Sequence, residues 1–174
     1  SLLKHCIHIH GNDFVESWHF MFYEPYITAV RQSEMVRVYH RFYETVKSIS
    51  PHTNVGVFLP YSYELDRTGK NHEWILESDV PIDFFGYEAN QNEVVDFEKL
   101  DDERFGLTES YIIDKTKKLK AFLRKNRKVR PLHLVSWNAL TGNTRYTNGM
   151  FFRGALVFKS AIEIASEVET IGFW

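Results

Sequence analysis

Cysteine is almost missing: Cys6 is the single one among 174 residues. That excludes an internal disulfide and any zinc cage built from thiolates. No run approaches the roughly 18 consecutive apolar residues of a membrane-spanning helix. The charged, His-rich start also lacks the uninterrupted apolar core of a signal peptide. An excess of charge of one sign is lacking too, since 21 Lys and Arg stand against 23 Asp and Glu. A net charge of −2 argues against a nucleic-acid binder that works by bulk positive charge. Repeats, low-complexity tracts and flexible linkers are absent. What is present is a globular mixture, 44% hydrophobic and unusually rich in Phe (14) and Tyr (9), which is not the composition of a disordered chain. The length suits one domain with a proper core and is short for two. Ser1 and Trp174 carry no polar tail and read as cut ends of a longer protein.

Along the chain, strand and helix patterns alternate. Residues 2–9 read as the end of a helix stopped by Gly11 and Asn12. Ser17–Tyr23 is an apolar-aromatic run, expected as a strand buried on both faces. Glu34–Ser50 has helical spacing, with Met35, Val38, Tyr39, Phe42, Val46 and Ile49 on one side, and Pro51 ends it. Val55–Leu59 is the next strand, His72–Glu77 a short helix, and Ile82–Tyr87 a third strand. An acidic loop from Glu88 to Glu109 follows. Ser110–Asn126 is then a helix, Leu132–Trp137 a strand, Gly149–Val168 a helix and Thr170–Trp174 a fifth strand. Such alternation predicts an α/β fold with parallel strands and right-handed crossovers. Five units are too few for a closed eight-fold barrel of at least about 200 residues. The pattern leaves two solutions, an open doubly wound sheet or five-eighths of a barrel.

The order of specific residues separates them. Tyr23-Glu24-Pro25 at a strand end is similar to the Asn-Glu-Pro triplet of retaining glycosidases. Around it stand Val15-Glu16-Ser17-Trp18-His19-Phe20, Phe42-Tyr43-Glu44-Thr45-Val46-Lys47, and Asn54-Val55-Gly56. Trp74-Ile75-Leu76 and Val80-Pro81-Ile82-Asp83-Phe84-Phe85-Gly86 come next, then Ser136-Trp137-Asn138, and finally Ile171-Gly172-Phe173-Trp174. In that order the stretches resemble glycoside hydrolase family 39, the β-xylosidases and α-iduronidases. The resemblance spans essentially the whole chain. It implies a parallel (β/α) barrel of TIM type, incomplete, with about strands 4 to 8 in a single segment over residues 1–174. Barrel domains of this kind also resemble the C-terminal parts of some AraC-type bacterial transcription regulators, which implies a cytoplasmic protein with a sugar as effector.

The chemistry implied turns on two carboxylates. A retaining glycosidase needs an acid/base and a nucleophile about 5–5.5 Å apart at the C-terminal ends of barrel strands. By resemblance, Glu24 takes the acid/base position and Ser136 the nucleophile position. A serine has neither the charge nor the unaided nucleophilicity to capture an anomeric carbon. The family's strand-6 His falls on Glu88, its following Tyr on Asn90, and the Asn before the acid/base on Tyr23. These departures imply that hydrolysis has been lost while a carbohydrate pocket remains. Its expected lining is Tyr23, Tyr87, Glu88, Asn90, Trp137, Asn138 and Trp174, around a mono- or oligosaccharide of pentose type, with no cofactor and no metal.

Plainer roles compete with each of these. Glu24 can be a strand-end carboxylate, Glu88 a solvated loop glutamate, and the aromatics core fillers. His5, Cys6, His8 and His10 do not share one helix face, which argues against a metal. The nine basic residues of Lys115–Arg130 lie opposite an apolar stripe and suit a solvated outer face rather than a nucleic-acid groove. No contact with nucleic acid or membrane is expected of this segment, whereas pairing with another chain or with a missing N-terminal segment is. Two alternatives to a silent sugar-binding domain stay open: an active β-xylosidase-like glycosidase, whose second carboxylate comes from Glu88 or from the missing half, and a barrel remnant used for dimerisation.

Overall fold

The computed structural model describes residues 2–23, 32–59, 78–90, 110–138 and 151–172. In chain order their elements are α1 (Leu2–His10), α2 (Asn12–Glu16), β1 (His19–Phe22), α3 (Gln32–Ile49), β2 (Asn54–Leu59) and β3 (Phe84–Asn90). They continue with α4 (Tyr111–Lys125), β4 (Leu132–Asn138), α5 (Phe151–Ile164) and β5 (Thr170–Ile171). The strands form one parallel sheet in the order β1-β2-β3-β4-β5. Sequential order is what a barrel segment requires, whereas a doubly wound sheet reverses order at a switch point. The barrel solution is therefore the one adopted. The sequence reading of α/β alternation holds, and the expected helix at 72–77 lies outside the described residues.

The contacts divide into two compact units, residues 1–59 with 69–86, and residues 60–68 with 87–174. In the first unit, β1 runs parallel to β2 with His19 opposite Asn54 and Phe22 opposite Val57. The apolar stripe of α3 packs on β1 through Phe22, whose ring lies 5.7 Å from Tyr39 and 5.8 Å from Phe42. Asp83 joins β2 to the start of β3. Its carboxylate accepts from the Val55 N–H at 2.9 Å and pairs with Lys47 at 2.8 Å, while its own N–H donates to the Val55 carbonyl at 3.0 Å. The Tyr39 hydroxyl donates to the Pro81 carbonyl at 2.9 Å beside it. Asp83→Ala is expected to cost about 1–3 kcal/mol, because the Val55 N–H and the Lys47 ammonium each lose a partner. A lower urea midpoint at unchanged slope would register it.

The second unit is built on α4, whose inner face buries Ile112, Lys115, Thr116, Leu119 and Leu123. Lys120 at its edge pairs with Glu167 at 2.7 Å, which holds that carboxyl below its ordinary value. Strand β4 runs parallel to β5 with His133 opposite Thr170, and the His133 ring meets the Thr170 hydroxyl at 2.9 Å.

Four sequence expectations need correction. The first strand is not buried on both faces: His19 is exposed and Phe20, Met21 and Phe22 are half-buried. Its pairing among the described residues is with β2 alone, so it is an edge. The third strand starts at Phe84, not Ile82, because the Asp83 carboxylate is engaged with Val55 and Lys47. It runs on through Asn90, so Glu88 is a strand residue rather than the first of a loop. Within the basic stretch, Lys115 is buried on the apolar face, its ammonium 5.9 Å from the Tyr111 ring centre. Lastly, Asn12 opens a helix rather than helping to stop one. Gly11, at φ 87°, breaks the helix axis and a second short helix begins at once, burying Val15.

Candidate functional site

In a parallel sheet all strands present their C-terminal ends on one side, and in barrels that side carries the chemistry. The residues singled out from sequence divide sharply there. Glu24 and Trp174 lie outside the described residues. Asn90 and Asn138 are the last residues of β3 and β4.

Tyr23 follows β1 directly and is 48% exposed. One side of its ring lies 4.5 Å from the Phe58 ring centre, a tilted contact that fixes its orientation. An aromatic ring held on one side and open on the other suits stacking on the C–H face of a sugar.

In the second unit, side-chain alternation sets Tyr87 and Glu88 on opposite faces of β3. Tyr87 is wholly buried, its hydroxyl 2.6 Å from that of Thr116 on α4, which in turn donates to the Ile112 carbonyl at 2.7 Å. It ties strand to helix and offers no surface for stacking, which corrects its expected place in a sugar pocket. Burial pushes its phenol up to about 12, with Glu167 adding to the shift and the Thr116 hydrogen bond opposing it. Glu88, half-buried, takes the other face along with Phe84 and Gly86.

The same rule divides Ser136 from Trp137 on β4. Ser136 shares a face with Leu132 and Leu134 and is half-buried. Trp137 shares the other with His133 and Val135, and at 1% exposure its indole is a core filler, a second correction. Sequence reasoning missed Asp83 and Thr116. The signal for Thr116 was present, since it falls on the 112, 116, 119, 123 stripe that α4 turns inward.

The buried phenols predict an alkaline limit to stability. Burial also raises Tyr39, with the negative Asp83 adding to it. A phenol whose folded pKa lies above its unfolded value of 10.0 contributes stability that is complete below pH 10 and lost as pH rises towards the folded value. For Tyr87 that loss amounts to about 2–3 kcal/mol between pH 10 and about 12. Tyr87→Phe is expected to flatten the fall of urea-unfolding stability over that window.

Among the described residues no three His, Cys, Asp or Glu side chains gather as a metal would need, and no helix is long and apolar enough to cross a membrane. A shallow depression of about 440 Å³ is lined by Ser33, Val36, Arg37, His40, Arg41 and Glu44. All six belong to α3, so among the described residues its lining comes from one helix and not from strand ends.

No family model matches this chain. In sequence it is similar to an uncharacterized HTH-type transcriptional regulator of Staphylococcus aureus (strain COL), 38% identical over 122 residues, 70% of this chain and 16% of that protein. A second such regulator, from strain MRSA252, is 35% identical over 152 residues, 86% of this chain and 19% of that protein. The chain thus spans less than a fifth of the length of these relatives. In structure it resembles the GH39 enzyme from Xanthomonas axonopodis pv. citri, with a TM-score of 0.75 at 16% identity over 99% of this chain and 35% of that one. A monomeric beta-xylosidase from Caulobacter crescentus CB15 gives 0.71 at 14% identity over 99% of this chain and 36% of that one. The fold is like that of part of these family 39 glycoside hydrolase barrels, while the sequence is similar to a stretch of these regulators.

Proposed function

We propose that residues 1–174 act as one barrel segment that binds a carbohydrate without hydrolysing it, as the effector-sensing part of an HTH-type transcription regulator in the cytoplasm. The observation that carries this reading is Ser136 at the C-terminal end of β4, where the family resemblance puts the catalytic carboxylate. The regulator relatives support the setting, and the family 39 fold supports the ligand class. Tyr23 supplies a stacking surface and Glu24 a hydrogen bond, and the ligand is of pentose type. An effector works by binding one state of the regulator better than another. The open edge of β1 pairs with polypeptide outside these residues or with a second chain.

Titration calorimetry on the intact protein tests the reading. Xylose or a short xylo-oligosaccharide is expected to release or absorb heat with a Kd between about 1 μM and 1 mM. Ligand at about 100 times Kd should add about 2.7 kcal/mol of stability, visible as a thermal shift. Tyr23→Ala is expected to weaken binding roughly tenfold through the loss of stacking. No heat with any pentose or short oligosaccharide would leave only the structural remnant.

One observation favours a second reading, an active glycosidase. Glu88 lies within β3, on the face opposite the helix-bound Tyr87, so a carboxylate does stand near a strand end. Turnover abolished by Glu88→Gln would establish it.

A further inference from the structure

Helix α5 is apolar on two sides. Its inner face buries Leu156, Ser160 and Ile164. At 100° per residue, Gly154, Ala155, Phe158, Ala161 and Ile162 occupy an arc of about 120° on the opposite side. That arc contains no charge, and Phe158 and Ile162 within it are 71% and 62% exposed. A helix apolar all round normally lies in an interior. An open apolar stripe with a polar rim marks a contact with a partner.

The rim says which partner. Lys159 and Glu163 run along one flank of the stripe, paired at 2.7 Å and partly exposed. The other flank carries Val157, half-buried and uncharged. When two such helices cross antiparallel about a two-fold axis near Ser160 and Ala161, like flanks meet with their directions reversed. Lys159 then lies beside the partner's Glu163, and Glu163 beside the partner's Lys159. Phe158 meets the partner's Ile162, while Gly154, Ala155 and Ala161 leave room for the bulky pair to seat between the backbones. A patch that complements itself in charge and in shape under a two-fold is what an isologous contact requires.

We propose that the outer face of α5 is the surface through which two copies of this protein associate as an antiparallel, two-fold dimer. It stands apart from the sugar-binding reading, since no strand-end residue takes part. One face of a helix this short buries well under the ~800 Å² per partner of a standard interface, so association falls in the micromolar range or weaker.

Sedimentation velocity on the protein at its full encoded length, from about 1 to 200 μM, reads this directly. A sedimentation coefficient rising with concentration from monomer to dimer is expected. Phe158→Ser with Ile162→Gln, both at exposed positions, should weaken association at least tenfold while leaving the thermal melt of the dilute protein unchanged. Lys159→Glu and Glu163→Lys should each weaken self-association by placing like charges across the two-fold. Mixed together, these two variants should form a heterodimer in preference to either homodimer, because both crossed pairs are then opposite in sign. A monomer at every concentration would overturn the proposal. So would association indifferent to the stripe substitutions, or a mixture showing no preference for the heterodimer.

Discussion

Aryl β-xylosides incubated with the intact protein are expected to stay uncleaved. In the retaining mechanism one carboxyl protonates the leaving oxygen while a second carboxylate attacks the anomeric carbon to form a covalent glycosyl intermediate. Ser136 holds the position that the resemblance gives to the second group. Leu132 and Leu134, which share its face of β4, have no group that could take up the serine proton. Removing a nucleophile from a covalent enzyme lowers kcat by on the order of 10⁶. Ground-state binding is spared, because stacking on Tyr23 and hydrogen bonding to hydroxyls do not depend on charge developing at the anomeric carbon. Ser136→Glu is expected to raise turnover from nothing to a trace, since a carboxylate placed without its supporting hydrogen bonds is poorly oriented. Release of nitrophenol by the unaltered protein, lost in Glu88→Gln, would instead make Glu88 the nucleophile.

Gly56→Val is expected to prevent the first unit from folding, and Gly56→Ala to destabilise it by about 1–3 kcal/mol. A β-carbon at Gly56 would fall on the Phe84 carbonyl oxygen and within 2.7 Å of two Phe84 ring carbons. Neither obstacle gives way easily. The carbonyl belongs to the first residue of β3, and the ring is held edge-on against His19 at 5.3 Å. Gly172 has the same constraint in the second unit, where a β-carbon would lie 2.6 Å from the Val135 carbonyl oxygen. Near-ultraviolet circular dichroism of Gly56→Val should lose its aromatic signal, while the Ala variant should keep it with a lower urea midpoint. A Val variant as stable as the parent would mean that β2 and β3 are not in close contact at this point.

The local sequence by itself determined the alternation of helix and strand. Amphipathic spacing on α3 and α4 and short apolar runs for the strands are properties of neighbouring residues, and they need no knowledge of partners. The fold family was legible too, from the order of short stretches such as Val80–Gly86 rather than from any one of them. Sequence also supplied the residue on which the proposed function rests, a serine before Trp137. Three other matters only the tertiary structure decided. Which of Tyr87 and Glu88 faces the helices was invisible, because Ile82–Tyr87 is nearly all apolar and shows no period-two alternation. The Asp83 contacts with Val55 and Lys47 mark where β3 begins, and the Tyr87–Thr116 hydrogen bond shows which face meets α4. Among the described residues β1 is half-exposed and stands at the sheet edge, which no residue within it encodes. The outer face of α5 reads in sequence as core and stands in solvent. Apolar periodicity reports that a side chain prefers burial, whereas the packing of the other elements decides which of two apolar faces they cover.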